Sequence, residues 1–291
     1  MEVRANEPMA CHVTWRAGGH VARAGFPQDL DDLAAFMTSM RHDEPLLMVG
    51  LGSNLLIRDG GFDGTAIFTH GALATLRHEA DGTVYAEAGV ATPKIARFAA
   101  NHDLAGAEFF AGIPGTLGGA LAMNAGCHGG ETWHHVERVR MLNRRGELID
   151  RTPDDFAVGY RHVGLKAATD EIFVAAWLRY APGDGTTARA TIKTLLEKRI
   201  ATQPLQLPNA GSVFRNPPGD HAARLIEAAG LKGTEEGGVR VSEKHANFIV
   251  NPEGKGSASA IESLIGRIQV TVQKEFGVNL VREVRILGTG N

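Results

Sequence analysis

The sequence predicts an α+β protein. Amphipathic helical patterns recur along the chain, short apolar segments suited to strands lie between them, and glycine-rich turns join the elements of the first half. The chain has 291 residues, which is large for a single hydrophobic core. We therefore expect two or three domains, with one break in the proline-containing segment 201–211 and a second near residues 63–71.

Five segments have the 3.6-residue periodicity of helices. They are 29–41, 92–104, 186–199, 220–230 and 257–277. Asp29 and Ser257 are suited to cap the first and last of these helices. Thr92 is suited to cap the second helix, with Pro93 at its first helical position. Gly277 is suited to the left-handed position that ends the last helix.

Seven segments are predicted to form strands because they combine apolar alternation with flanking turn residues. They are 46–50, 83–89, 136–150 (a hairpin), 171–180, 212–217, 245–251 and 280–287. The hairpin is expected to turn near Arg145 and Gly146, where two polar residues precede a glycine.

The composition is that of a water-soluble globular protein, with 43% hydrophobic and 22% charged residues. The formal net charge of −3 argues against nucleic acid as a partner. Two cysteines are too few for a disulfide framework. No apolar run approaches the length of a membrane span, and the first residues lack a secretory signal pattern. We therefore expect a cytoplasmic protein without membrane insertion.

One glycine-rich segment, residues 48–64, follows a predicted strand. Gly50 and Gly52 have the spacing of a dinucleotide turn, but Leu55 stands where the third glycine of that fingerprint belongs, and no helix pattern follows. What remains is a tight turn with the side chains of Ser53 and Asn54. Such a turn could present several backbone N–H groups to a pyrophosphate. Equally, it could be a tight turn without a ligand.

A second glycine-rich segment, residues 112–126, is apolar rather than charged. Pro114 fixes one backbone angle between two glycines, and Gly118 and Gly119 add no β-carbon. Bare backbone of this kind allows close approach to a planar aromatic cofactor. Close packing of backbone against backbone is the alternative.

Seven segments, in order along nearly the whole chain, resemble motifs of the UDP-N-acetylenolpyruvoylglucosamine reductases, also called UDP-N-acetylmuramate dehydrogenases. Their sequences are TWRAGG (14–19), GLGSNLLIRDGGFDG (50–64), LAGAEFFAGIPGTLGGALAMNAGCHGGE (104–131), YR (160–161), NAGSVFRNP (209–217), GLKG with VSEKHANFIVN (within 230–251) and REVRILG (282–288). The third segment is the most specific of the seven.

The resemblance implies a vanillyl-alcohol-oxidase-type FAD-binding fold of two α+β subdomains plus a third α+β domain that binds substrate. Its implied bounds are 1–70 for the first FAD-binding subdomain, with segment 280–291 returning to it or to the substrate cleft, 71–205 for the second subdomain, and 206–279 for the substrate-binding domain. The resemblance also implies noncovalent FAD, NADPH as co-substrate, a UDP-sugar substrate and a monomeric enzyme of peptidoglycan precursor synthesis.

Three residues match the family's catalytic positions: Arg161, Ser212 and Glu283. Addition of a hydride to an enolpyruvyl group leaves a carbanion beside a carboxylate, and an arginine can stabilise that charge. By the resemblance, Arg161 and Glu283 stabilise the enolate, and Ser212 donates the proton. Without the resemblance, each residue would be read as an ordinary surface or turn residue.

The resemblance also assigns binding residues. The FAD-binding positions are Gly50, Leu51, Gly52, Ser53, Asn54, Leu55, Gly112, Ile113, Pro114, Gly115, Thr116, Gly119, Ala120, Asn124 and Gly126. The substrate-binding positions are Tyr160, Arg215 and Asn216. The histidines near residue 131 have no standard metal-ligand spacing, so we expect no metal site.

The sequence departs from the family pattern at three places. His128, preceded by Cys127, stands where the family motif has a tyrosine. Val163 stands where a serine commonly follows the arginine, and the chain between Arg161 and Ser212 is too short for the loop that covers the substrate with a tyrosine. The chain therefore resembles the shorter subgroup. A flavin-dependent oxidase of the same fold and a non-catalytic nucleotide-sugar-binding protein are the alternative functions.

Overall fold

The computed structural model describes residues 1–167 and 169–290. The chain divides into two compact units, and each unit is assembled from separated segments. Unit 1 comprises Met1–Arg4, Arg23–Gly50 and Gly64–Arg199, and unit 2 comprises Ala5–Ala22, Leu51–Asp63 and Ile200–Asn291. The predicted domain bounds at residues 70, 205 and 279 stay a prediction.

Helices and strands alternate along the described residues. The strands are β1 (Glu2–Pro8), β2 (His20–Phe26), β3 (Leu46–Val49), β4 (Leu55–Ile57), β5 (Phe62–Phe68), β6 (Leu76–His78), β7 (Thr83–Glu87), β8 (Leu104–Ala105), β9 (Gly126–Cys127), β10 (Gly130–Glu131), β11 (Val136–Asn143), β12 (Leu148–Arg151), β13 (Phe156–Gly159), β14 (His162–Leu165), β15 (Glu171–Arg179), β16 (Ala181–Pro182), β17 (Glu235–Glu236), β18 (Val239–Val241), β19 (Ile249–Val250) and β20 (Arg285–Leu287). The α-helices are α1 (Leu30–Ser39), α2 (Thr92–Asn101), α3 (Leu117–Met123), α4 (Gly185–Thr202), α5 (Ala222–Ala228) and α6 (Ala258–Phe276).

A five-stranded sheet forms the centre of unit 1. Its strand order is β12-β11-β15-β7-β6, and each neighbouring pair is antiparallel. The predicted hairpin is confirmed, since β11 and β12 pair with Leu142 opposite Leu148 and the chain turns between them. One face of this sheet packs against α2 and α3 in a core that includes Ile95, Phe110 and Leu121.

Helix α1 covers a smaller core of unit 1. Leu33 and Met37 pack there with Ile67, Leu73, Ala88, Leu142 and Val174. Asp29 caps the helix as predicted, because its carboxylate accepts a hydrogen bond of 2.8 Å from the Asp32 N–H. Strand β3 runs parallel to β5 beside this core, with Leu46 opposite Thr65.

In unit 1, one predicted helix cap was wrong and one helix was not predicted. Thr92 is the first residue of α2 rather than its cap, because its hydroxyl donates instead to the Ile113 carbonyl at 2.6 Å. The stretch 112–126 contains the seven-residue helix α3, for which the sequence analysis predicted no helix. Gly118 lies in α3, and a β-carbon there would come within 3.0 Å of the Ala88 β-carbon. Close packing therefore explains that glycine.

Helix α6 organises the core of unit 2. Its buried stripe of Ile261, Leu264, Ile265, Ile268 and Val272 matches the predicted periodicity. The predicted caps are confirmed, since Ser257 accepts from the Ala260 N–H and Gly277 has φ +70°. Helix α5 contacts α6, and β17, β18 and β19 form a three-stranded antiparallel sheet.

The three strands predicted in unit 2 are much shorter than expected. Segment 212–217 contains only an isolated bridge between Phe214 and Arg282, whereas 245–251 and 280–287 retain β19 and β20 of two and three residues. Strand β20 pairs in parallel with β4. The C-terminal residue Asn291 lies outside the described residues. At Phe214, the side chain of the buried Asn247 binds the N–H and the carbonyl that a neighbouring strand would otherwise bind.

No helix within residues 1–167 and 169–290 has both the length and the apolarity needed to cross a lipid bilayer.

Candidate active site

The turn between β3 and β4 contains the first group of predicted cofactor residues. Gly50 ends the unit 1 segment, whereas residues 51–55 belong to unit 2. In unit 2, Gly52 has φ +60°, and a β-carbon there would overlap the carbonyl oxygen of His12. The Gly52 carbonyl accepts from the Thr14 N–H at 3.2 Å. Residue 52 must therefore be glycine both for its backbone angles and for its close contact with the chain.

Asn54 in this turn is bound to the segment that carries Glu283. Its Nδ2 donates to the Glu283 carbonyl at 3.3 Å, and its own carbonyl accepts from the Arg285 N–H at 3.0 Å. Within unit 2, two hydrogen bonds therefore connect the predicted phosphate turn to residues 283–285, and one of them is made by the predicted catalytic residue Glu283. Ser53 is half-buried, and Leu55 is buried as the first residue of β4.

Thr116 is the most informative residue of the second glycine segment. It precedes α3, but its side chain does not cap that helix. It is 2% exposed, and its Oγ1 has no hydrogen-bond partner among the described residues. A β-carbon on Gly50 would overlap this oxygen, so glycine at position 50 keeps the hydroxyl in place. A buried hydroxyl without a partner is costly unless a ligand satisfies it.

The surrounding residues hold this segment in unit 1. The Thr92 hydroxyl donates to the carbonyls of Ile113 and Gly115. Ile113 and Ala120 are buried, Gly112 and Gly115 are half-buried, and Pro114 and Gly119 are exposed. A β-carbon on Gly119 would meet no described atom within 4 Å. The segment therefore combines a fixed backbone with an open surface at Gly119.

Asn124 fixes the end of α3. It adopts a left-handed conformation with φ 41° and is 2% exposed. Its Nδ2 donates to Glu131 Oε2 at 3.0 Å and to the Gly159 carbonyl at 3.2 Å, and its Oδ1 accepts from the Trp133 N–H at 3.1 Å. The side chain thus connects the glycine segment to the hairpin of β13 and β14.

Arg161 lies in the two-residue turn of that hairpin. Its backbone has φ 54°, an uncommon value for a residue with a side chain. Its guanidinium donates to the Gly126 carbonyl at 2.7 Å and to the Asn124 carbonyl at 3.3 Å. Its charged end lies 5.0 Å from the centre of the Tyr160 ring, and that ring is 49% exposed. Unit 1 therefore brings together Arg161, Tyr160, Asn124 and Gly126.

Arg199 is a second arginine whose charge, like that of Arg161, acts on the Cys127 thiol. Burial raises the pKa of the Cys127 thiol to about 11, and the positive charges of Arg199 and Arg161 oppose that rise. Burial also lowers the pKa of Arg199 from its ordinary value. The helical pattern of α4 did not mark Arg199 as a candidate site residue, because its interaction with Cys127 arises only in the folded unit.

Ser212 and Glu283 lie on neighbouring segments of unit 2, and both residues are half-buried. The Glu283 N–H donates to the Val213 carbonyl at 2.8 Å, and the Arg215 N–H donates to the Val281 carbonyl at 2.9 Å. These backbone contacts fix the segment that follows Ser212 against the segment that contains Glu283. Asn247 also holds the first of these segments through hydrogen bonds to Phe214, and no sequence pattern selects this residue.

The two predicted substrate residues after Ser212 differ in their surroundings. Arg215 is half-buried, and its Nε is buried without a partner in the described part of the chain. Asn216 is exposed, and its Oδ1 accepts from the Ala222 N–H at 3.1 Å at the start of α5. Arg215 therefore retains an unsatisfied donor, whereas Asn216 has a structural contact.

The histidines near Glu131 form no metal-binding group. His134 Nε2 lies 3.9 Å from Glu131 Oε2, and burial lowers the pKa of His135. Residues 1–167 and 169–290 contain no group of three or more metal-ligating side chains that could hold an ion.

Comparison with known families assigns both parts of the chain. Residues 22–152 match the FAD binding domain family, and residues 203–287 match the C-terminal domain of UDP-N-acetylenolpyruvoylglucosamine reductase. The predicted FAD cofactor agrees with the first match. The unpartnered Thr116 hydroxyl fits a bound cofactor in this region.

Several curated proteins are similar over nearly the full chain. UDP-N-acetylenolpyruvoylglucosamine reductase of Thiobacillus denitrificans is 54% identical, over 97% of this chain and 91% of its own length. The enzyme of Alkalilimnicola ehrlichii is 56% identical, over 99% of this chain and 95% of its own length. The relative of Methylococcus capsulatus, which has the same name, is 54% identical over 97% of this chain.

A solved structure shares the fold. The crystal structure of UDP-N-acetylenolpyruvylglucosamine reductase from Thermus caldophilus matches with a TM-score of 0.83 at 28% identity, over 98% of this chain and 99% of that one. The predicted α+β class with a vanillyl-alcohol-oxidase-type FAD-binding part is confirmed, and so is the family resemblance. The individual site residues stay predictions.

Proposed function

This chain belongs to the UDP-N-acetylenolpyruvoylglucosamine reductase family, and we propose that it reduces UDP-N-acetylglucosamine enolpyruvate to UDP-N-acetylmuramic acid, with NADPH as reductant, in the cytoplasm. The observation that carries the catalytic part of the proposal is the fixed position of Arg161. Its guanidinium is hydrogen-bonded to carbonyls of the glycine segment, within the unit that contains most of the FAD-binding match.

Bound FAD would supply the redox chemistry, by taking a hydride from NADPH and transferring it to the terminal carbon of the enolpyruvyl group. The residues of this chain would bind and orient FAD and the substrate, stabilise the negative charge that develops, and donate the proton. Thr116, with the backbone of residues 50–55 and 112–126, would hold the cofactor. The orphan hydroxyl of Thr116 supports this role.

Arg161 would stabilise the negative charge that develops on the enolpyruvyl carboxylate. A guanidinium is permanently charged and can form two parallel hydrogen bonds to a carboxylate. Two of its donors already bind backbone carbonyls, and those bonds limit the positions that the side chain can adopt. A charged group that is fixed in advance stabilises a transition state without a reorganisation cost.

Ser212 would donate the proton that completes the reduction. The carbon next to the carboxylate carries the carbanion after hydride transfer, and the Ser212 hydroxyl would protonate it. A serine is a weak acid, so the transfer requires short range and exact alignment. Its neighbours Val213 and Phe214 are 1% exposed and fixed by hydrogen bonds, which supports a defined position for Ser212.

Glu283 would help to stabilise the enolate that Ser212 protonates. Its main chain is held by the Val213 carbonyl and by Asn54, so the carboxyl group starts from a fixed backbone. The unpartnered Nε of Arg215 would bind a phosphate oxygen of the UDP group, with Tyr160 and Asn216 as further substrate contacts.

The test separates the two half-reactions by stopped-flow absorbance. Purified protein should be yellow and should release its flavin on acid denaturation. Ser212→Ala should leave flavin reduction by NADPH nearly unchanged and slow flavin reoxidation by the enolpyruvyl sugar by about 10²–10⁴-fold, the usual contribution of a general acid.

Ser263→Ala is the matched control, because Ser263 is exposed on α6 and its hydroxyl bonds only to Glu236 among the described residues. Both half-reactions of this variant should proceed at the wild-type rates. Normal turnover by Ser212→Ala would contradict the assigned proton donor. A colourless protein would contradict the proposed function as a whole.

A further inference from the structure

Asn247 is a buried residue of unit 2 that binds the backbone next to Ser212. It is 4% exposed. Its Nδ2 donates to the Phe214 carbonyl at 2.8 Å, and its Oδ1 accepts from the Phe214 N–H at 3.0 Å. Its own carbonyl accepts from the Val213 N–H at 2.9 Å. Three hydrogen bonds from one residue therefore fix the two residues that follow Ser212.

These bonds have few substitutes. Segment 212–217 pairs with the Glu283 segment at a single bridge, between Phe214 and Arg282, and the hydrogen bonds of that bridge involve the backbone of Val213 and Arg215 but not that of Phe214. The Asn247 carboxamide instead satisfies both backbone groups of Phe214, as a neighbouring strand would. Since an amide has a donor and an acceptor side by side, it can replace such a strand at one residue.

The same backbone also carries Glu283. The Val213 carbonyl accepts from the Glu283 N–H at 2.8 Å, whereas the Val213 N–H donates to Asn247. Val213 is therefore held from both sides, by Asn247 and by the Glu283 main chain. A shift of the 213–214 backbone would move Ser212 and disturb the contact with Glu283 together.

We propose that Asn247 is a positioning residue for proton delivery. It fixes the backbone that follows Ser212, so that the Ser212 hydroxyl keeps its position relative to Glu283, and it does not contact substrate. The proposal rests on the proposed function, since it assumes that Ser212 is the proton donor. It assigns a task to segment 245–251 that is distinct from cofactor binding. The side chain of His245 contributes by accepting from the Asn247 N–H at 3.3 Å, and burial lowers the pKa of His245, which favours the neutral ring that can accept.

The test uses Asn247→Asp, which keeps the size and the acceptor but sets a carboxylate oxygen against the Phe214 carbonyl. Asn247→Ser is a smaller, neutral second variant in case the first does not fold. Asn251→Asp is the matched control, because Asn251 is fully buried and likewise uses both amide atoms, towards Trp15 and Gly256, but does not bind the segment after Ser212.

We expect the Asn247 variants to reduce flavin with NADPH at the wild-type rate. Their limiting rate of flavin reoxidation at saturating enolpyruvyl sugar should fall by about 10- to 100-fold, the scale of a misplacement of about 1 Å. Asn251→Asp should lower the Tm comparably and slow neither half-reaction selectively.

The decisive measurement repeats Asn247→Asp in the Ser212→Ala background. If Asn247 acts through Ser212, its effect on reoxidation should nearly vanish there, because coupled residues are not additive. An undiminished effect in that background, or equal slowing of both half-reactions, would overturn the inference while leaving the proposed function intact. Normal reoxidation by Ser212→Ala alone would overturn the inference together with the assignment of Ser212 as proton donor.

Discussion

Replacement of Thr116 by valine should stabilise the FAD-free protein against unfolding and lower its affinity for FAD. The Thr116 hydroxyl is buried without a partner among the described residues, and valine has nearly the same shape. An unsatisfied buried hydroxyl costs about 1–3 kcal/mol. We therefore expect Thr116→Val to raise the unfolding free energy of the FAD-free protein by about 1 kcal/mol, or the Tm by about 2–4 °C. Loss of a hydrogen bond to FAD should raise the Kd about fivefold.

The assay combines thermal unfolding of flavin-free protein with fluorescence titration of FAD. Thr92→Val is the control, since Thr92 is equally buried in the same unit but its hydroxyl donates to the Ile113 carbonyl. That variant should lose about 1–2 kcal/mol, because a carbonyl is left without its donor. If Thr116→Val destabilises the FAD-free protein as Thr92→Val does, the hydroxyl has a role in the unliganded fold and the reasoning is refuted.

Two further predictions concern titratable groups. At pH 8, iodoacetamide should modify the exposed Cys11 and spare Cys127, because a pKa of about 11 keeps the buried thiol protonated; equal labelling of both tryptic peptides would contradict this. Arg151 lowers the pKa of Glu171 below its ordinary value of 4.5, so this pair stabilises the fold above that pH and the contribution is lost as the pH falls through the lowered value. Arg151→Met should therefore cost about 1–2 kcal/mol in urea unfolding at pH 7 and much less near pH 3, and a pH-independent cost would exclude this pair as its source.

Local sequence patterns were sufficient to predict most of the helices. Asp29 and Ser257 cap α1 and α6 as predicted, because an N-cap depends on a side chain and an N–H only three residues away. Thr92 failed as a cap because a distant carbonyl, that of Ile113, competes for its hydroxyl. Partners far apart in the sequence leave no periodic signal.

Contacts between residues far apart in the sequence were also missed in the candidate site. Motif resemblance selected Thr116, Arg161 and Ser212 by position. It gave no reason to select Asn247, whose role depends on hydrogen bonds to Phe214. The predicted strand 212–217 was apolar enough for a ladder, but it pairs with another segment at only one bridge, and a side-chain amide binds both backbone groups of Phe214. Hydrophobic pattern predicts burial well, and it does not identify the group that satisfies the buried backbone.

The parallel pairing of β4 with β20 has a consequence for synthesis on the ribosome. Leu55 lies opposite Arg285, so the edge that β4 presents stays unpaired until residues 285–287 have emerged. At about 5–20 residues per second, that interval is on the order of ten to fifty seconds. During this time the turn with Gly52 and Asn54 also lacks its contacts to residues 283–285. The turn predicted to bind FAD therefore cannot form these contacts on the ribosome before residues 283–287 have emerged.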